Sequence, residues 1–318
     1  MDRRTYSHQL ITLKEACKDK AWAFAPSNVA LCKYWGKTDE VLNVPTTSSL
    51  SISLGGYGSY VILEKSTQDI LFVQEKEVAS GSQLYLKTFD FMRLFCPINV
   101  SLCIKSYSNI PIGAGLASSA SYFAALTLAL NDLFGWGVNL ETLSCLARLG
   151  SGSACRSFYH GFVTWEACEN PLESYGIPLM IDWQDLCVGL LILDQREKSI
   201  SSTNAMLHTL KTAPLYKSWI AQSERDFASL KQAICEKNFK AMGEITEYNA
   251  LSLHSVMMSA RPWSDSSSCF KDGRAADCRR RHSCTGTSTA ASAPRRVTIC
   301  GPSERQASRN SLNRAFAS

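Results

Sequence analysis

Asn109-Ile110-Pro111-Ile112-Gly113-Ala114-Gly115-Leu116-Ala117-Ser118-Ser119-Ala120 is the stretch around which the rest of the chain is best read. Before it, Asn99 to Ile104 is a short β-branched run bounded by Pro and Asn, the pattern of a strand. After it, Phe123, Leu126, Leu130, Leu133 and Phe134 recur at three- and four-residue spacing, which predicts a buried helix over 118–134 that ends near Gly135. A glycine-rich link from strand to helix lets main-chain amides approach an anion. The positive end of the helix dipole at Leu116 to Ala120 then favours phosphate. Ser118 and Ser119 add hydroxyls for phosphate or magnesium. No lysine follows the glycines, as a Gly-Lys-Ser/Thr phosphate loop requires. Asp132 lies inside the helix, whereas a dinucleotide fingerprint needs an acid at the end of the next strand. Glycines that merely make a turn remain an alternative at this stage.

Working outward, Trp22 to Ala25, Ser49 to Leu54, Tyr60 to Leu63, Gly161 to Trp165 and Val188 to Leu193 also read as strands, the last apolar enough to be central in a sheet. Leu140 to Leu149, Thr203 to Lys211, Tyr216 to Glu236 and Phe239 to Met258 carry helical periodicity. The class is α+β, with sheet dominating early and helices late, and no internal repeat.

Three further constellations suit anions. Ala25-Pro26-Ser27-Asn28-Val29-Ala30-Leu31-Cys32-Lys33-Tyr34-Trp35-Gly36-Lys37, followed by Pro45 and Ser48-Ser49-Leu50-Ser51, sets two lysines four apart around aromatic residues and a glycine. Ammonium groups so placed pair with diphosphate oxygens, although a solvated lysine pair has the same sequence. Arg148-Leu149-Gly150-Ser151-Gly152-Ser153-Ala154-Cys155-Arg156-Ser157 joins small residues to a guanidinium whose planar fork fits a carboxylate, or is simply a connector. Lys198-Ser199-Ile200-Ser201-Ser202-Thr203 can reach phosphate or can cap a helix.

Composition narrows the class. No run of eighteen apolar residues is present and the first residues lack a signal-peptide pattern, so the expectation is a cytosolic protein with no membrane span. Thirteen cysteines, among them Cys32, Cys103, Cys145, Cys187 and Cys235, are scattered without a Cys-x-x-Cys pair and read as reduced, buried thiols. The net charge of +5 is uneven: residues 1–261 hold 23 Lys and Arg against 24 Asp and Glu, residues 262–318 hold 10 against 4. That last segment has eleven serines, nine arginines and six large apolar residues, too little apolar surface to offset its ordering entropy. Its arginines lack interleaved aromatic residues, which disfavours a nucleic-acid arm.

Pro-x-Gly-x-Gly-Leu-x-Ser-Ser-Ala resembles a signature of the GHMP kinases. Lys-Tyr-Trp-Gly-Lys and Ser-Gly-Ser-Ala-Cys-Arg resemble, within that superfamily, the diphosphomevalonate decarboxylases, over roughly residues 20 to 260. The resemblance implies the GHMP kinase fold: an N-terminal lobe like ribosomal protein S5 domain 2 over 1–185, a ferredoxin-like α/β lobe over 186–261, and an active site in the cleft between them. It implies ATP and Mg2+, 5-diphosphomevalonate as the small-molecule substrate, isopentenyl diphosphate as product, and a homodimer. It implies Lys37 and Arg156 as catalytic. Tyr34, Trp35, Gly36, Lys37, Ser151, Gly152, Ser153, Ala154, Cys155, Arg156 and Thr203 would meet substrate. Asn109, Gly113, Gly115, Leu116, Ala117, Ser118, Ser119 and Ser202 would meet ATP. A related kinase that does not decarboxylate is the alternative.

One element departs from the pattern. The family carries an essential aspartate in Asp-Ala-Gly-Pro-Asn, and the nearest match here is Ile299-Cys300-Gly301-Pro302-Ser303, with isoleucine in the acid's place. Together with the change of composition after Pro262, this reads as a shifted reading frame over 262–318 and predicts a chain inactive, or nearly so, in decarboxylation.

Overall fold

The computed structural model describes residues 1–97, 99–110, 116–191 and 202–261, and the main chain of 288–289 and 296–300. Two units divide the chain, one made of Met1–Ala30 and Tyr34–Met180, the other of Leu31–Lys33 and Ile181–Ser318.

In the first unit the elements are α1 (Arg3–Leu10), β1 (Lys20–Cys32, whose last two residues belong to the second unit), β2 (Lys37–Asp39), β3 (Val44–Pro45), β4 (Ser49–Ser66), β5 (Ile70–Val73), β6 (Lys76–Glu77), α2 (Gln83–Met92), β7 (Ser101–Ser108), α3 (Ser118–Phe134), α4 (Leu140–Gly150), a 3-10 turn (Gly152–Arg156), β8 (Phe162–Trp165) and β9 (Gly176–Leu179). The sheet runs β6-β5-β7-β4-β8-β9, with β1 also on β4. Ser49 to Leu54 and Tyr60 to Leu63, expected as two strands, are one 18-residue strand. Gly55, at φ +60, bends it. A side chain at Gly58 would stand 2.1 Å from the Ala25 carbonyl, so only glycine lets β1 cross there. One half of β4 pairs β8 (Ser49 opposite Trp165) and the other half pairs β7 (Ser59 opposite Ser108).

α3 follows its predicted bounds and packs its apolar residues against this sheet, Leu63 and Ile104 among the fully buried partners. It stops at Gly135, whose φ of +58 closes the last turn. Asn139 caps α4 by accepting from the Thr142 amide at 2.9 Å.

The second unit holds β10 (Cys187–Leu191), α5 (Ser202–Thr212), α6 (Tyr216–Cys235), α7 (Phe239–Ser259), β11 (Ser288–Thr289) and β12 (Arg296–Cys300). α6 and α7 pack together, and Asn249 ties them by donating to Asp226 at 3.0 Å and accepting from the Lys33 amide at 2.9 Å. Among the described residues β10 is an edge of the order β10-β12-β11, not the central strand its apolar run suggested. Two strands also fall inside 262–318, where composition suggested none; main-chain pairing asks little of side chains, and Ile299 lies opposite Val188. The cysteines described are free, but Cys187 and Cys235 are exposed and Cys103 half-buried, so burial is not common to all.

Candidate active site

Small residues and one aromatic ring shape the first half of the site. Gly152 opens the 3-10 turn, and a side chain there would stand 2.7 Å from Tyr34 Oη and 2.9 Å from its ring. Glycine is therefore what lets the turn lie on the buried Tyr34. The Tyr34 ring is tilted against Trp165, centroids 4.7 Å apart, and Trp165 is anchored by its Nε1 donating to Ser174 Oγ at 2.9 Å. On Trp165, in turn, lies the Arg156 guanidinium, 5.7 Å from the ring centroid and 2 % exposed as a residue. Arg156 Nη1 donates to Ser49 Oγ and Nη2 to Asn28 Oδ1 at 3.5 Å. Asn28 is itself oriented, donating to Ser157 Oγ at 2.8 Å and to the Ser153 carbonyl at 3.3 Å. Since Ser49 and Trp165 are register partners, β4 and β8 together set the guanidinium.

The second half is the start of α3. Its N-cap residue is Ala117, whose side chain cannot cap, and which enters the helix in the left-handed conformation, φ +52. An uncapped N-terminus suits a phosphate. Ser119 is exposed and its Oγ lies 3.4 Å from Ser151 Oγ, which joins the helix tip to the loop that carries Arg156. Buried Ser121 fixes the first turn: its hydroxyl contacts Ser27 at 3.1 Å, Ser59 at 2.8 Å and the Ser118 carbonyl at 3.1 Å.

Lys37 opens β2 and is half-buried. Desolvation first, then the Arg3 charge, hold its pKa below the usual lysine range against the pull of Glu40. Lys87 on α2 lies with Nζ 4.9 Å from the Phe123 ring, the ring on which Gly150 also packs. Desolvation of its head group, then the charges of Lys37 and Arg3, lower the Lys87 pKa, although the residue is exposed overall and solvent weakens the effect. Like charges gathered this way favour a polyanionic ligand, which relieves their repulsion.

The predicted residues thus fall into four groups. Tyr34, Ser151, Gly152, Arg156 and Ser119 form one chain of contacts in the first unit, through Trp165, while Lys37 lies with Arg3 and Lys87 in its charge neighbourhood. Trp35 is half-buried, and Gly36, at φ +109, accepts from the Thr46 amide at 3.2 Å. The Ser153 carbonyl holds Asn28, while Ala154 and Cys155 are fully buried; burial pushes the Cys155 thiol up to about 12. Leu116 is buried and Ser118 half-buried. Asn109 spends its side chain on the bend of β4, donating to Gly56 at 2.7 Å and accepting from Gly58 at 2.8 Å. Ser202 and Thr203 open α5 in the second unit, both exposed. Gly113 and Gly115 lie outside the described residues. No group of His, Cys, Asp and Glu able to hold a metal occurs among the described residues. Nor is any described helix long and apolar enough to cross a membrane.

Sequence reading missed Lys87, Arg3, Trp165 and Ser121 as parts of the site. Trp165 closes a predicted strand and Ser121 lies one turn into a predicted helix, so both read as core; Lys87 and Arg3 carry no local signal.

Residues 25–176 match the model of the diphosphomevalonate decarboxylase-like N-terminal domain, and residues 188–264 that of the mevalonate 5-diphosphate decarboxylase C-terminal domain. The chain is 34% identical over 260 residues to a diphosphomevalonate decarboxylase of Candida albicans, covering 75% of this chain and 72% of that one. Among solved structures it resembles mevalonate diphosphate decarboxylase from Staphylococcus aureus (TM-score 0.81, 30% identity, 92% of this chain and 91% of that). It also resembles the enzyme from Enterococcus faecalis, for which a mevalonate diphosphate mediated ATP binding mechanism is described (TM-score 0.79, 27% identity, 93% and 92%). Another similar chain was solved in complex with MVAPP, AMPPCP and magnesium (TM-score 0.79, 28% identity, 93% and 93%).

Proposed function

The chain belongs to the diphosphomevalonate decarboxylase family of the GHMP kinase superfamily, and on that premise we propose that its site takes 5-diphosphomevalonate together with ATP and Mg2+. The reaction class is ATP-dependent decarboxylation to isopentenyl diphosphate, ADP, phosphate and CO2 in the mevalonate pathway.

The observation that carries this reading is the buried Arg156 guanidinium, fixed by Trp165, Ser49 and Asn28 one loop away from the α3 tip. A planar fork so placed orients a carboxylate, the group that leaves as CO2. Lys37, with Arg3 and Lys87 beside it, neutralises a diphosphate. The uncapped start of α3, with Ser119 and Ser118, receives nucleotide phosphate. ATP supplies the phosphoryl group, and these residues contribute position and charge rather than a covalent nucleophile. Ser202, Thr203, assembly as a homodimer and a cytosolic location complete the proposal.

We further propose that decarboxylation by this chain is slow or absent. Ile299 stands where the resemblance places the acid, and isoleucine neither takes a proton nor stabilises developing charge. The match to the C-terminal domain stops at residue 264, where the composition changes, which supports a shifted frame. A coupled assay for ADP and release of labelled CO2 test this on the chain as it stands and on one given an Asp-Ala-Gly-Pro-Asn segment in the alternative frame. CO2 from the second chain alone supports both statements. Equal CO2 from both refutes the loss of activity; ADP without CO2 from both makes the protein a kinase.

A further inference from the structure

Eight residues before Arg156, Arg148 is a second guanidinium with no exposure. Its Nη1 donates to the Leu42 carbonyl at 2.6 Å, and Nη2 donates to Tyr6 Oη and to the Pro171 carbonyl, each at 2.7 Å. The Tyr6 ring centroid lies 5.5 Å from its Cζ, and Tyr6 Oη donates onward to the Pro171 carbonyl at 2.8 Å. Among the described residues no carboxylate pairs with it. A buried cation is costly, and an apolar chain of similar volume often fills such a place at less cost. What an apolar chain cannot do is grip the carbonyl of a turn.

That turn, residues 40–43, joins β3 to β2, the three-residue strand that Lys37 opens. It is latched from both sides. Asn43, at φ +55, sends its Nδ2 back to the Arg148 and Leu149 carbonyls at 2.8 and 3.2 Å. Asp39 accepts from the Leu42 amide at 2.8 Å, and Arg3 Nε donates to the Val41 carbonyl at 2.7 Å. α4, which carries Arg148, ends one residue before Ser151.

We propose that Arg148 is a positioning residue for the polyanion site: with Asn43 it fastens the 40–43 turn to the end of α4, and thereby fixes the separation between the Lys37 ammonium and the 151–156 loop. The proposal rests on the reading of this site as the diphosphomevalonate site. Arg148 touches no substrate and acts through Lys37.

The test titrates the full chain with 5-diphosphomevalonate by calorimetry, using Arg148→Lys and Asn43→Gly, each alone and combined with Lys37→Met. Lysine keeps the charge but loses the fork. Glycine accepts the left-handed backbone at position 43 and removes only the latch, so it serves even where Arg148→Lys fails to fold. Each single change is expected to weaken binding about tenfold, and each double to bind no more weakly than Lys37→Met alone, because both lose the same ammonium contact. Losses that multiply, or single variants that bind like the parent, overturn the proposal and leave Arg148 a residue of stability only. A parent chain that does not bind 5-diphosphomevalonate refutes the decarboxylase reading instead. Arg148 is then decided by the pH dependence of Lys37 acetylation, followed by mass spectrometry in Asn43→Gly: a midpoint moved up towards that of free lysine supports the assignment, and an unchanged one overturns it.

Discussion

Arg148 and Arg156 are two buried guanidinium groups of one short motif, each against an aromatic ring, yet they are built for different work. Arg148 is held by main-chain carbonyls and a phenol, acceptors that cannot turn away. Arg156 donates to a serine hydroxyl and, at 3.5 Å, to the amide oxygen of Asn28, acceptors that sit on side chains. A cation fixed by backbone is a fastener, whereas one held by side chains can transfer its hydrogen bonds to an incoming anion. On the proposed function, acceptor type rather than burial is what separates Arg148, the fastener, from Arg156, which would face the ligand.

The largest expected effect breaks that contrast if it fails. Arg156→Gln should weaken 5-diphosphomevalonate binding by about 2–5 kcal/mol, measured by calorimetry, because a carboxylate loses its charged partner. Its unfolding free energy in urea should change less than that of Arg148→Gln. The second variant removes the guanidinium bond to the buried Leu42 carbonyl, at about 1–3 kcal/mol in urea unfolding, while the Pro171 carbonyl keeps its bond from Tyr6 Oη. Equal losses of stability in the two would remove the distinction.

Gly152→Ala sharpens it from the side of Tyr34. The new methyl meets the ring and must push either the 3-10 turn or Tyr34, an overpacking of about 1–3 kcal/mol. Binding should fall while the unfolding of β4 and β7, followed by hydrogen exchange, stays as in the parent. The smallest effect concerns Lys37. Its pKa is lowered in the free protein, and a bound diphosphate raises it, so binding near the lysine range, about pH 10, should draw in protons. Calorimetry in buffers of different ionisation enthalpy reads that uptake, which Lys37→Met should abolish.

Much of this was legible in the sequence. The strand and helix flanking the glycine-rich loop and the bounds of α3 and α4 follow from periodicity and local motif, whereas Tyr34, Gly152 and Arg156 are grouped only by the family resemblance. The two halves of β4 did not read as one strand, because Gly55, Gly56 and Gly58 look like a break and their role depends on β1 crossing there. α1 and α2 are short and gain their place through tertiary contacts: Tyr6 through Arg148, and Lys87 through the Phe123 ring. Where β10 lies among the described strands depends on which of them pair with it, and hydropathy reports only its apolar faces.

β4 begins at Ser49, beside the guanidinium of Arg156, and its far half pairs the strand that runs into Asn109 and the loop before α3. The Arg156 end and the α3 end of the candidate site are therefore strung on a single ribbon that carries its glycines, Gly55, Gly56 and Gly58, between them. Because side chains alternate along a strand, gain or loss of one residue in either straight stretch would turn half of that ribbon inside out. A change of length between Gly55 and Gly58 would spare both straight stretches, so the spacing between the two ends is set by the register of one strand.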